Sequence, residues 1–167
     1  SALFDGLGRL MRSIGAAEKA LELMVRRGLN REAFGRPLAR LGKNTEVIAK
    51  ARIEIESMRL MVLRAARAMD LTGNAEARVW VSAVKAMVPE RVCAIIDEAI
   101  QVHGAAGISQ WTPLAGMYAA QRTLRLADGP DEVHWHVVGR AELTRYENDH
   151  SPAVPPAGER GGVFSGP

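Results

Sequence analysis

The chain has 167 residues, 47% of them hydrophobic and 25% charged, with a formal net charge of +3. That is the composition of one soluble globular domain, not of a disordered or collagen-like polymer, and no apolar run approaches the roughly 20 residues of a membrane span. Arg and Lys alternate with Glu and Asp instead of forming a stripe, and aromatic residues are only 5%, which argues against a nucleic-acid-binding surface.

In chain order, Leu7, Leu10, Met11, Ile14, Ala17, Leu21, Met24 and Val25 recur at three- and four-residue steps. They predict an amphipathic helix to about Arg27, stopped by Gly28 and Asn30. A loop from Leu29 to Gly42 follows. A second, long helix opens near Asn44 with Glu46 in its first turn, where the helix dipole favours an acid. Its apolar face is Val47, Ile48, Ala51, Ile55, Met58, Met61, Val62, Ala65 and Met69, and Thr72-Gly73-Asn74 ends it. The third helix runs from Ala75 to about Val102 on Val79, Ala83, Met87, Ile95 and Ala99, with Pro89 inside it predicting a kink near Met87. Cys93, the single cysteine, sits in the apolar run Val92 to Ile96 and reads as core. With no disulfide framework and no secretory signal pattern, a reducing compartment is expected: the cytoplasm, or the mitochondrial matrix in a eukaryote.

Thr112-Pro113 predicts a shorter helix to about Leu126, and Asp128-Gly129-Pro130 another to about Tyr146, each with proline at its first position. No strand pattern is visible. The expected fold is therefore all-α: an antiparallel four-helix-bundle-like domain with a short extra helix over residues 1–147. The tail, residues 148–167, holds four prolines and four glycines and is expected to be disordered.

Chemistry has three candidate places. In Arg31-Glu32-Ala33-Phe34-Gly35 an arginine fork suits a pyrophosphate and an exposed phenylalanine suits a flat ring, but on so short a pattern a solvated Arg and a Phe capping the bundle end is the plainer reading. Gln101-Val102-His103-Gly104-Ala105-Ala106-Gly107 ends a helix in small residues, which admits phosphates close to the backbone or is simply a glycine cap and turn. Asp128, with Asp131 and Glu132 close behind, is either an N-cap in an acidic first turn or a general base. His134 and His136 lie two apart and point to different helical faces, so no metal site is expected.

Taken in order, Arg31-x-x-Phe34-Gly35, Gln101-x-x-Gly104-x-x-Gly107 and Arg125-Leu-Ala-Asp-Gly-Pro-Asp-Glu-Val-His134 resemble the C-terminal domain of acyl-CoA dehydrogenases, over about residues 7–146. The resemblance implies a domain of a longer FAD enzyme that oxidises acyl-CoA thioesters between Cα and Cβ. It implies that Arg31 and Phe34 contact the FAD diphosphate region. Gln101, Gly104 and Ala105 would meet the adenine dinucleotide part of a cofactor held mainly by a partner subunit. Asp128 would be the base, with Gly129 beside the substrate. Most members carry glutamate at that place, and Asp128 marks a subgroup with aspartate. The family's arginine near the start of the first helix falls near Gly6, with Arg9 and Arg12 close but not equivalent. The resemblance further implies a homodimer or tetramer, and missing N-terminal and β-domains without which the isolated chain is not expected to catalyse. The other expectation is a helical oligomerisation module that has kept the fold and lost the chemistry.

Overall fold

The computed structural model describes residues 2–150 and 153. Three long helices, α1 (Ala2–Asn30), α2 (Asn44–Leu71) and α3 (Asn74–His103), are followed by a single turn, α4 (Ala105–Ile108), and by α5 (Leu114–Leu124) and α6 (Asp131–Tyr146). The all-α expectation holds, with one addition. Between α1 and α2 the chain forms a small antiparallel ribbon, β1 (Glu32–Ala33) and β2 (Arg36–Pro37), and a 3-10 turn, Leu38–Arg40. The tail expected to be disordered lies, beyond residue 150, outside the described residues except for Ala153.

In α1 the residues Leu7, Leu10, Ile14, Ala17, Leu21 and Met24 are buried, as their spacing requires, whereas Met11 is exposed. In α2 the buried set is Val47, Ala51, Ile55, Met58, Val62, Ala65 and Ala68. Both are one-sided helices. α3 differs: Val81, Ser82, Ala83, Val84, Ala86, Met87, Val88 and Pro89 are all buried, and Val92, Cys93, Ile95, Ile96 and Ala99 continue the pattern. A helix apolar on all sides belongs in the middle, and α3 packs against α1, α2, α5 and α6. Pro89 does not interrupt it; the helix is one element from Asn74 to His103. Burial pushes the Cys93 thiol above its ordinary pKa, in keeping with a core cysteine.

Helix directions follow from which residues meet. Gly6 lies against Lys85, and Arg27 shares a cleft with Gln101 and His103, so α1 and α3 run the same way. Lys43 and Glu46, at the start of α2, face Glu98 near the end of α3, so α2 runs against both. Glu18 of α1 joins it to α2, accepting from Arg52 at 2.8 and 2.9 Å and from Arg59 at 2.9 Å.

Gly28 does not stop α1. It is buried within the helix because Ala39 of the 3-10 turn lies on it: a Cβ at position 28 would come 2.9 Å from the Ala39 Cβ. The close approach pins the loop to the helix end.

Two expectations follow. Alanine is ordinarily the better helix former by roughly 0.5–1 kcal/mol, yet Gly28→Ala should lower stability by about 1–3 kcal/mol through overpacking, read as a reduced Tm. For Glu18, the Arg52 hydrogen bond outweighs burial and holds the carboxyl below its ordinary pKa. The stabilisation is therefore present above the ordinary carboxylate range and lost as pH falls through the depressed value. Glu18→Gln should cost at most about 1 kcal/mol at neutral pH, the pair being partly exposed, and the Tm difference from the parent should vanish in acid.

Candidate functional site

The segment after α1 is a two-residue hairpin. Ala33 pairs with Arg36, and the loop residues Phe34 and Gly35 have φ of 51° and 78°, the double left-handed conformation of a type I′ turn. Leu38 N donates to Arg31 O at 2.7 Å and closes the ribbon base. The strandless expectation fails here because the turn is Phe-Gly instead of the readable Asn-Gly or Asp-Gly, and the ribbon is too short for alternation to show. A left-handed phenylalanine costs of order 1–3 kcal/mol. The hairpin ladder holds it there, yet the side chain is 95% exposed at the tip and so caps nothing in the described bundle. This supports the contact reading over the bundle cap.

Arg31 and Gln101 come together with Gly104 in a cleft of about 440 Å³ between the ends of α1 and α3. Arg27 and Lys43 also line it, against a single carboxylate, Glu98. Sequence reasoning missed both cations, although Arg27 stands four residues before Arg31 and on the same helical face. The Arg27 Nε is buried without a hydrogen-bond partner. Such an atom calls for an acceptor, so three cations and an orphaned N–H fit a bound polyanion.

Two glycines shape the α3 end. Gly104 has φ 64° and ψ −144°, a region favouring glycine. A Cβ at Gly107 would come 2.7 Å from the Ile100 carbonyl oxygen, so α4 can fold back on α3 only with glycine there. His103 donates from Nδ1 to Ala99 O at 2.7 Å, which turns its ring into the helix end. Ala105 begins α4, and the cleft wall stops at Gly104.

Asp128 lies elsewhere, in the junction between α5 and α6. Arg125 Nε donates to the buried Asp131 Oδ2 at 2.6 Å, and Asp131 N donates to Arg125 O at 3.2 Å, tying the junction at both ends. Between them Asp128 and Gly129 take φ of 58° and 96°. The N-cap reading of Asp128 is overturned: the cap of α6 is Pro130, and the Asp128 carboxylate turns to Arg9, whose Nη1 is 2.6 Å from Oδ2. Both side chains remain about half exposed. A cleft of about 30 Å³ adjoins Asp128, walled by Gly6, Arg9, Leu10, Lys85, Leu124 and His134. Arg9, one turn beyond Gly6 and noted in the sequence as close but not equivalent to the family's arginine, thus brings a guanidinium to this cleft. His134 Nε2 is 3.2 Å from the Asp128 carbonyl oxygen.

The two clefts are far apart. Arg9 and Arg27 are eighteen residues apart on α1, about 27 Å at 1.5 Å per residue, and one cleft lies at each place. Among the described residues no group of three His, Cys, Asp or Glu side chains could hold a metal ion, and no helix is long and apolar enough to cross a membrane.

A sequence model described as acyl-CoA dehydrogenase, C-terminal domain, matches residues 6–143. Over 152 residues the chain is 51% identical to a Mycobacterium tuberculosis protein named Probable acyl-CoA dehydrogenase FadE2, covering 89% of this chain and 37% of that protein. Over 141 residues it is 51% identical to acyl-CoA dehydrogenase family member 11 of Rattus norvegicus, covering 83% of this chain and 18% of that one. Among solved structures, butyryl-CoA dehydrogenase from Megasphaera elsdenii superposes on 83% of this chain and 36% of its own, with a TM-score of 0.76 and 26% identity. The chain therefore spans well under half the length of these relatives.

Proposed function

This chain belongs to the acyl-CoA dehydrogenase family, and on that premise we propose that it is the carboxyl-terminal helical part of an FAD-dependent enzyme that dehydrogenates an acyl-CoA thioester between Cα and Cβ. What FAD supplies when bound is the acceptor for the hydrogen that leaves Cβ as hydride. The part assigned to this chain is a base, Asp128, for the α-proton, and a clamp for the dinucleotide tail.

The observation that carries the reading is the separation of two places along α1, Arg9 where the Asp128 carboxylate is presented and Arg27 where the cationic cleft lies, about 27 Å apart by helix rise. Arg31, Gln101 and Gly104 line the cleft with Arg27 and Lys43, a donor set suited to paired phosphates. Phe34 stands exposed on the hairpin beside it, ready to cover a flat group. Ala105 follows the last wall residue, Gly104, as the first residue of α4. So wide a separation favours an assembly in which the Asp128 cleft serves one cofactor and the Arg31–Gln101 cleft serves the cofactor of a second subunit, in a homodimer or tetramer. The left-handed turn at Asp128 and Gly129 is a backbone means of bringing a side chain one methylene shorter than glutamate up to the substrate. Gly129 leaves that approach open.

The test uses the complete enzyme that contains this chain. Asp128→Asn should lower acyl-CoA oxidation by roughly 10²–10⁴-fold while flavin absorbance per chain stays at the parent level. Retained turnover would remove Asp128 from the reaction. Arg31→Ala should weaken FAD binding about tenfold to a hundredfold, the worth of a charged hydrogen bond, with unchanged flavin content counting against the clamp. A complete protein that stays colourless in the presence of FAD would favour the oligomerisation module.

A further inference from the structure

We propose that His134 is a positioning residue for Asp128: its imidazole holds the Asp128 main-chain carbonyl and so fixes the left-handed turn that presents the carboxylate to its cleft. The inference rests on the reading of Asp128 as the base. His134 stands in the first turn of α6, the helix that the Arg125–Asp131 pair anchors. Its Nε2 lies 3.2 Å from the Asp128 carbonyl oxygen. A carbonyl only accepts, so Nε2 is the donor in this contact. That Nδ1 is buried and has no partner. The contact to Asp128 is thus the one polar bond that orients the ring among the described residues.

The backbone is shaped around this seat. A Cβ at position 129 would come 3.3 Å from His134 Nε2 and 3.8 Å from Cε1. Gly129 therefore serves twice, adopting φ 96° and leaving room for the imidazole edge. Asp128 has no such freedom, and a left-handed aspartate holds that conformation only when its surroundings over-determine it. Two contacts do so: Arg9 grips the carboxylate and His134 grips the peptide. Of the two, only the His134 contact acts on the backbone of the turn; Arg9 acts on the side chain. The ring is not itself a second base, because the nitrogen that faces the loop is the protonated one. Nor does it belong to a group of three metal-ligating side chains among the described residues.

The test compares His134→Phe, which keeps a flat ring and loses the donor, with His134→Gln, whose amide nitrogen can reach the same carbonyl. Both are made in the complete enzyme, beside Asp128→Asn. His134→Phe should lower kcat about tenfold, the factor that corresponds to one hydrogen bond, with the acyl-CoA KM within about twofold of the parent. It should also raise the isotope effect of α-deuterated substrate, because proton removal becomes slower. His134→Gln should restore most of kcat, and flavin content and Tm should match the parent in that variant. A His134→Phe enzyme with parental kcat, or a His134→Gln enzyme as slow as His134→Phe, overturns the inference while leaving an inactive Asp128→Asn to uphold the base. Turnover retained in Asp128→Asn overturns both.

Discussion

The structure hangs on a helix with no solvent face through its middle. From Val81 to Pro89 only Lys85 escapes burial in α3. Each large apolar side chain there contributes about 1.5–3 kcal/mol by leaving water, and that gain is available only if neighbours cover every side. α1 and α2 do so with one-sided helices, and α5 and α6 close the remaining surface. Proline can sit inside such a helix because burial on all sides holds the chain on either side of it, whatever the one lost hydrogen bond costs. The junctions between the outer helices are then not free to wander. Their positions are dictated by the ends of elements that the core has already fixed.

Those junctions are where the candidate chemistry lies, and the backbone records it. Among the described residues six have positive φ, and five of them, Phe34, Gly35, Gly104, Asp128 and Gly129, fall in the two candidate regions. Glycine adopts this conformation without penalty, but Phe34 and Asp128 do not. Each is held by its flanks: the hairpin ladder at Phe34, and the Arg125–Asp131 pair with His134 at Asp128. A rigid bundle that strains two short connections can present an aromatic ring and a carboxylate with little conformational entropy left to lose on binding.

The length of α1 sets the relation between the regions. Its N-terminal part, with Arg9, reaches the carboxylate, and its C-terminal end, with Arg27 and the adjoining Arg31, reaches the cationic cleft. A single helix spanning both places sets the separation. The charge follows the same division. Glu18, Arg52, Glu56 and Arg59 neutralise one another on the α1–α2 surface, while the cleft that Arg27, Arg31 and Lys43 line has Glu98 as the one carboxylate in its wall. A modest net charge of +3 therefore conceals a local excess of positive charge where a polyanion would bind.

The sequence by itself determined the helices, their one-sided faces in α1 and α2, and the three motifs, because periodicity and glycine or proline punctuation are local properties of the chain. It also placed Arg31, Gln101 and Gly104 as companions through resemblance, and the fold does bring them into one cleft. The rest needed the tertiary structure. Gly28 looks like a helix stop until Ala39 is seen lying on it. The roles of Arg27, Lys43, Arg9 and His134 could not be read locally, since what makes each matter is a partner six to 119 residues away in the chain. The all-round burial of the middle of α3, from Val81 to Pro89 apart from Lys85, was equally invisible, because periodicity reveals one apolar face and only the neighbouring helices decide how many faces are covered. Helix faces are written in the order of residues, whereas clefts are made where residues distant in that order meet, and only the packed core brings them there.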